Sequence, residues 1–168
     1  MTVRVASAKD IDQLTEVHIA SWKSAYAGLM PKSILDNLDR DARRVMWTNA
    51  IAEQPSETAV STNSDHVTGF ANFGKYRDNE DVDHCGEIRA IYVLERYWRN
   101  GVGSKLLEYA MVSLGRDYQE AVLWVLDSNM RAIEFYQRHG FFRDGAVKTE
   151  LISGVALNEI RLSRTINS

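Results

Sequence analysis

The amino-acid sequence predicts a mixed α/β (α+β) domain in which a mostly antiparallel sheet of about seven strands is flanked by helices. Strand-like segments lie near both ends of the chain, helical segments lie between them, and residues 86–140 have the pattern of a strand–helix–strand unit. At 168 residues the chain has the usual size of one domain. We therefore expect a single domain over residues 1–168.

The amino-terminal half is predicted to contain one strand, three helices and two further strands. The segment Ser7-Ala8-Lys9-Asp10 matches a capping box, which indicates that a long helix begins there. Gly28 breaks this helix, Pro31 suits the first turn of a short one, and Asp39 or Asp41 caps a third. In order, the predicted elements are a strand over residues 3–6, helices over 9–26, over 32–38 and after 39–41, and strands over 58–61 and 67–76.

The strand–helix–strand unit is predicted from its apolar pattern. Residues 88–94 and 121–126 form apolar runs of strand length, and Gly115 fits the position just past the helix between them. Two strands joined in this way should be parallel, and ligands bind beyond their carboxyl ends. The helix is indicated by apolar residues at helical spacing, which are Leu106, Leu107, Ala110, Met111 and Leu114.

The carboxyl-terminal part is predicted to contain one helix and a hairpin. Asp127 or Ser128 is expected to cap the helix, and Gly140 is expected to end it. Two final strands, near residues 142–152 and 156–164, flank Ser153-Gly154, which has the composition of a hairpin turn.

The turn after the first strand of the unit has the features of an anion site. Gly101 and Gly103 have no Cβ, so backbone N–H groups can approach a ligand closely. The helix that follows directs free N–H groups and a positive dipole end outward, which suits a phosphate or pyrophosphate. A Gly-x-Gly at the start of a helix is also ordinary turn chemistry, so this spacing alone does not decide between the two interpretations.

Two motifs in this region resemble the GCN5-related N-acetyltransferases. Residues 129–141 contain the whole of the family pattern N-x-x-A-x-x-F-Y-x-x-x-G-F, with Asn129, Ala132 and Tyr136 on one helical face. The family's R/Q-x-x-G-x-G/A pattern matches residues 98–103 with one departure, because Trp98 stands where Arg or Gln is expected. The resemblance implies a GNAT-like acyl-CoA N-acyltransferase fold.

The resemblance also implies acetyl-CoA as co-substrate and a set of contacts to it. Ile91, Tyr92 and Val93 would pair their backbone with the pantetheine arm where the two parallel strands of the unit splay apart, and one backbone N–H there would stabilise the oxyanion. Asn129 and Tyr136 would complete the cofactor contacts. Pyrophosphate binding would fall to the backbone amides of Arg99, Asn100, Gly101, Val102, Gly103 and Ser104.

Tyr136 is the predicted general acid, since a phenol can protonate the leaving thiolate. Asn129 is expected either to orient the cofactor arm or a water, or to cap its helix. Glu87 is a candidate base for the amine, with a salt bridge to Arg89 or to another sheet neighbour as the alternative. His84 and His18 are weaker candidates for the same role.

The acceptor implied by the family is a primary amine of a small molecule or peptide, which attacks the thioester carbonyl of acetyl-CoA directly. Trp22 and Tyr26, one helical turn apart, are predicted to line its pocket, although aromatic residues at this spacing also suit a core. Glu150 and Glu159 on the final hairpin would attract a cation or simply be solvated. A non-catalytic acyl-CoA-binding regulatory module on the same fold is the alternative function, and retention of Tyr136 favours the enzyme.

Composition and net charge limit the classes of partner and the cellular compartment that the sequence predicts. A net charge of −3 and a pI of 5.8 do not predict a nucleic-acid binder. The lone cysteine, Cys85, excludes an intrachain disulfide and favours a reducing compartment. No segment has the length of a membrane span. We expect a cytoplasmic protein with no membrane, nucleic-acid or metal partner, and a homodimer, which is usual for the family.

Overall fold

The computed structural model describes residues 1–78, 84–152 and 154–166. Seven strands in this part of the chain form one sheet, in the order β1-β2-β3-β4-β5-β7-β6, and the pairings are mostly antiparallel, as predicted. The strands are β1 (Thr2–Val5), β2 (Thr58–Asn63), β3 (His66–Lys75), β4 (Cys85–Val93), β5 (Glu120–Leu126), β6 (Phe142–Ile152) and β7 (Val155–Thr165). The helices are α1 (Ile11–Ala25), α2 (Lys32–Asp36), α3 (Arg40–Glu53), α4 (Val102–Leu114) and α5 (Met130–Arg138).

The chain divides into two compact units. The first unit contains Met1–Phe73 and Ala90–Val112, and the second contains the described residues of Gly74–Arg89 and Ser113–Ser168. None of the helices in the described ranges has the length and apolar character needed to cross a membrane.

The core of the first unit lies where α1 and α3 pack on the sheet. Leu14 of α1, Val60 of β2 and Phe70 of β3 are fully buried. The helix presents an apolar face, and the strands are buried in continuous runs over residues 58–61 and 67–71. The cluster consists of Ala6, Ile11, Leu14, Val17, Trp47, Ile51, Val60, Val67 and Phe70.

The start of α1 agrees with the capping box predicted from the sequence. A 3-10 turn over Ala8–Asp10 precedes the α-helix, and Asp10 accepts a hydrogen bond from the Ser7 N–H at 2.8 Å. Asp39 caps α3 with its own side chain, which accepts a hydrogen bond from the Ala42 N–H at 2.9 Å.

An ion pair between Arg4 and Asp10 is expected to make stability depend on pH in the acid range. Arg4 donates to both Asp10 oxygens at 2.7 and 2.8 Å, and this lowers the pKa of buried Asp10 to about 2. A depressed folded-state pKa contributes stability above the unfolded value near 3.9, and that stability is lost as pH falls toward 2. We expect Asp10→Asn to reduce the free energy of unfolding by about 2 kcal/mol at pH 7 and about half as much at pH 3. Urea unfolding at both pH values tests this; an equal loss at pH 7 and pH 3 would contradict it.

In the second unit, β4 and β5 are parallel, as their connection through α4 predicted, but their pairing is short. It joins Cys85, Gly86 and Glu87 to Glu120, Ala121 and Val122. Both strands continue past Glu87 and Val122 within this unit, so the pairing between β4 and β5 ends before the strands do. The family resemblance implies such a separation. Gly86 is required at the start, because a Cβ on it would lie 2.8 Å from Leu114 Cδ2 and 2.9 Å from Tyr118 Cδ2.

Of the residues predicted to cap α5, only Asn129 does so. Neither Asp127 nor Ser128 is the capping residue; the Asn129 side chain accepts a hydrogen bond from the Ala132 N–H at 3.2 Å. The prediction that Gly140 ends this helix agrees with its φ of +81°. The predicted hairpin turn includes Ser153, which lies outside the described residues, and Gly154 there has a φ of +80°.

Candidate active site

The turn before α4 holds its backbone in an unusual conformation. Arg99 and Gly101 have φ values of +62° and +75°, in the left-handed region that glycine adopts at little cost. Lys105 N donates to Gly101 O at 3.1 Å, so the helical hydrogen bonds begin at Gly101. The N–H groups of the first helical turn lack carbonyl partners within the helix and face the helix start, which is the geometry of an anion site. Val102 is only 1% exposed and anchors the helix start in the first unit.

Trp98 has a structural role that the sequence did not predict. Its indole Nε1 donates a hydrogen bond to Val93 O at 2.7 Å, which ties the turn to the last residue of β4. The family's Arg or Gln at this position is therefore replaced by a residue that braces the turn from within the protein. Val93 is a predicted pantetheine contact, and in this structure its carbonyl accepts the Trp98 bond.

The end of β4 contains the three residues predicted to contact the pantetheine arm. Ile91, Tyr92 and Val93 are half-buried. Gly69 of β3 comes very close to this segment, since a Cβ on Gly69 would lie 2.7 Å from Tyr92 O. The Tyr92 ring turns toward α1, where its hydroxyl lies 2.7 Å from the Tyr26 hydroxyl.

Trp22 and Tyr26, the predicted pocket residues, belong to an aromatic cluster in the first unit. Their ring centroids are 5.1 Å apart, and the Arg43 guanidinium lies 4.5 Å from the Trp22 ring centroid. Both residues are half-buried, so each keeps some contact with solvent. The cluster comprises His18, Trp22, Tyr26, Trp47, Phe70 and Tyr92.

His18 is held neutral at the centre of this cluster. It is 6% exposed, and burial together with the positive charge of Arg43 lowers its pKa to about 3. The Arg43 Nη1 donates to His18 Nε2 at 3.2 Å, which occupies the nitrogen that would otherwise accept a proton. His18 is therefore a packing residue more than a free base, whereas His84 is exposed at the start of β4.

Tyr136 lies on α5 and Asn129 caps this helix, both in the second unit. Tyr136 is 8% exposed, and its ring packs against Phe135 and Phe141 with centroid distances of 5.1 and 5.8 Å. Asn129 is also 8% exposed and caps the helix, which was one of its two predicted roles. These contacts fix the position of both side chains before any ligand binds.

Glu87 is buried and already has a partner. It is 3% exposed, and Arg77 donates to its two carboxylate oxygens at 2.8 Å each. The predicted alternative of a salt bridge is therefore observed, with Arg77 in place of Arg89. The Arg89 Nη2 instead donates to Lys75 O at 3.1 Å.

A charged cavity of about 330 Å³ opens beside Glu87 in the second unit. Lys148 lies 3.3 Å from Asp78 Oδ2 and 3.6 Å from Glu159 Oε2, and its Nζ is 4.4 Å from the Trp124 ring centroid. Burial raises the pKa of Glu159, while Lys148 opposes that rise. The cavity is lined by Arg77, Asp78, Glu87, Arg89, Trp124, Lys148, Glu150 and Glu159.

The fold is that of an α/β protein in which a turn with a left-handed backbone begins the helix that connects two parallel strands. Comparison with known proteins identifies its family. A family model described as the Acetyltransferase (GNAT) family matches residues 14–141. The N-acetyltransferase YuaI of Bacillus subtilis (strain 168), described as uncharacterized, is 32% identical over 163 residues, which cover 96% of this chain and 91% of YuaI.

Solved structures share the fold at low sequence identity. The PaiA N-acetyltransferase from Thermoplasma acidophilum, in complex with coenzyme A, has a TM-score of 0.75 at 21% identity and covers 98% of each chain. An N-acetyltransferase from Staphylococcus aureus Mu50 has a TM-score of 0.74 at 21% identity, covering 99% of this chain and 98% of that one. On the family model and the YuaI match, the chain belongs to the GNAT acetyltransferase family. It is therefore an acyltransferase, which decides against the non-catalytic alternative.

Proposed function

We propose that this protein transfers the acetyl group of acetyl-CoA to a primary amine of a small molecule or peptide by direct attack. The observation that carries the proposal is the turn before α4, where the left-handed backbone at Gly101 presents the first amides of the helix. Thiol release from acetyl-CoA over a panel of amines tests it. The proposal fails if no CoA thioester gives heat in a calorimetric titration.

The co-substrate contacts are proposed residue by residue from the family motifs. The backbone amides of Arg99–Ser104 bind the pyrophosphate, aided by the positive end of the α4 dipole. The backbone of Ile91–Val93 binds the pantetheine arm as an added strand would, and an N–H of this segment stabilises the oxyanion. When bound, acetyl-CoA supplies the thioester carbonyl that the amine attacks. Asn129, held by its cap, orients the arm, and Trp22 and Tyr26 line the acceptor pocket.

Proton transfers are assigned to two residues of the second unit. Tyr136 donates a proton to the thiolate sulfur as it leaves, which a phenol can do at a modest energetic cost. Glu87 accepts a proton from the acceptor ammonium, directly or through a water. Arg77 donates to both carboxylate oxygens of Glu87 at 2.8 Å and so holds the carboxylate in position.

Replacement of Glu87 by glutamine tests the assignment of the base. A base must be deprotonated to act, so kcat/KM of the natural protein should fall on the acidic side, and Glu87→Gln should abolish that limb. The pH profile of kcat/KM is the measurement. Glu134→Gln, which removes an exposed carboxylate from α5, is the matched control and should keep the natural profile. An acidic limb that survives Glu87→Gln would assign the base to another group.

The remaining assignments concern the whole protein. We propose that residues 1–168 constitute one acetyltransferase domain, that the protein works in the cytoplasm, and that it forms a homodimer. A lone buried cysteine supports a reducing compartment. Light scattering of the purified chain would decide the oligomeric state.

A further inference from the structure

Three strands of the second unit, β4, β6 and β7, direct charged side chains to one face, and β5 adds the indole of Trp124. Side chains alternate along a strand, so Glu87 and Arg89 of β4 share a face. The pairing of β5 with β7 places Trp124 opposite Arg161, and the pairing of β6 with β7 places Lys148 opposite Glu159. The charged cavity lies on this face, and its volume of about 330 Å³ suits a small molecule.

The cavity carries both signs of charge. Three cationic and four carboxylate side chains line it, together with the indole of Trp124. A cluster of one sign would select a ligand of the opposite sign, whereas this arrangement offers separate partners to an ammonium and to an anion in one molecule.

The ion pairs in and around the cavity differ in how firmly they are held. Arg77 holds Glu87 through two bonds of 2.8 Å, and Arg161 holds Asp144 at 2.6 Å, both typical of charge-assisted hydrogen bonds. Lys148 contacts Asp78 and Glu159 only at 3.3 and 3.6 Å. Of Arg77 and Lys148, Lys148 is therefore the cation that can more readily exchange its present partners for a ligand anion.

Glu159 is the complementary position for an ammonium group. Its side chain is 17% exposed and has only the long contact to Lys148 among the ion pairs of the described residues. Burial raises the pKa of Glu159 because it disfavours the charged carboxylate. A ligand ammonium bound beside Glu159 would favour the ionised carboxylate and so oppose this effect. Glu150, on the same face of β6 as Lys148, adds a carboxylate nearby.

We propose that this cavity binds the charged end of the acceptor, and that the acceptor is a zwitterion, a primary amine that also carries a carboxylate. Glu159 and Glu150 bind its ammonium, Lys148 binds its carboxylate, and the Trp124 ring contacts its carbon skeleton. A polyamine fits less well, because its further ammonium groups would meet Lys148, Arg77 and Arg89. The role of the ligand as an acceptor rests on the proposed acetyl transfer, but binding of the ligand to the cavity can be measured without turnover.

Equilibrium binding tests the inference on the full-length protein. The standard L-amino acids are screened by thermal shift at pH 7, and those that stabilise the protein are titrated by calorimetry beside their carboxamides and beside spermidine. We expect at least one amino acid to bind about tenfold or more tightly than its carboxamide, which lacks only the negative charge. Tighter binding of the carboxamides or of spermidine, or no binding of any amino acid, overturns the inference.

Substitutions of Lys148 connect the preference to this cavity. Lys148→Met keeps the stem against Trp124 and should reduce the amino acid's affinity to that of its carboxamide, while Lys148→Arg should retain the preference. Arg138→Met removes an exposed cation from α5 and should change neither the affinity for the amino acid nor its preference over the carboxamide. A preference that persists in Lys148→Met overturns the inference. Failure of acetyl-CoA to bind, measured separately, would refute the proposed acetyl transfer. The amino-acid titrations would still decide whether the cavity binds a zwitterion.

Discussion

Replacement of Gly101 by valine is expected to abolish acetyl-CoA binding while the fold is kept. The Gly101 backbone has a φ of +75°, and a β-branched residue is strongly disfavoured there. A Cβ at this position would meet no atom within 4 Å, so the protein has room for the side chain but not for its backbone preference. The turn should therefore change conformation and carry its amides away from the pyrophosphate, with a loss of affinity on the order of a hundredfold.

Calorimetry with acetyl-CoA and a circular dichroism spectrum would measure the two parts of this expectation. Gly145→Val is the matched control, because Gly145 also has a positive φ, of +96°, and also has no atom within 4 Å of a built Cβ. It should impose similar backbone strain and leave cofactor affinity unchanged. Normal binding by Gly101→Val would refute the pyrophosphate assignment.

Replacement of Tyr136 by phenylalanine is expected to lower kcat about a hundredfold with acetyl-CoA affinity retained. The ring is packed between Phe135 and Phe141, and phenylalanine preserves that packing. Only the hydroxyl is lost, and with it the proton for the leaving thiolate. A thiolate without a proton donor is a poorer leaving group, so the chemical step should slow while the bound state is unaffected.

Steady-state kinetics and calorimetry on the same preparation separate these quantities. Tyr109→Phe, on α4, removes a hydroxyl from a ring that packs against Phe73 and should keep natural kinetics. Unchanged turnover in Tyr136→Phe would remove Tyr136 as the acid. Loss of kcat together with equal loss of affinity would indicate a role in binding instead.

The sequence predicted the order of elements and the motif residues because those depend on local patterns. Apolar spacing located α4, the capping box located the start of α1, and Gly140 located the end of α5. The cap of α5 was left open between three consecutive residues, Asp127, Ser128 and Asn129, because all three suit that role. Only the backbone bonds around the turn, such as Asn129 N to Leu126 O, decide which of them is used.

The parts of the site that escaped prediction depend on contacts between separate elements. Arg77 comes after β3 and reaches Glu87 on β4, and no spacing rule pairs them. The Lys148 contacts with Asp78 and Trp124 depend likewise on strands that are distant in sequence. Trp98 was visible as a departure from the family motif, but its bond to Val93 O depends on a side-chain direction that sequence does not give.

The hydrogen bond from Trp98 to Val93 O also affects how tightly a ligand binds at the turn. A loop that becomes ordered only when its ligand binds loses conformational entropy, and this loss weakens the affinity. Here the Trp98 indole holds the turn against the end of β4, so the turn is preorganised for binding before a ligand arrives. A lineage that exchanged the usual arginine or glutamine for tryptophan would thus give up a direct contact and gain rigidity in return.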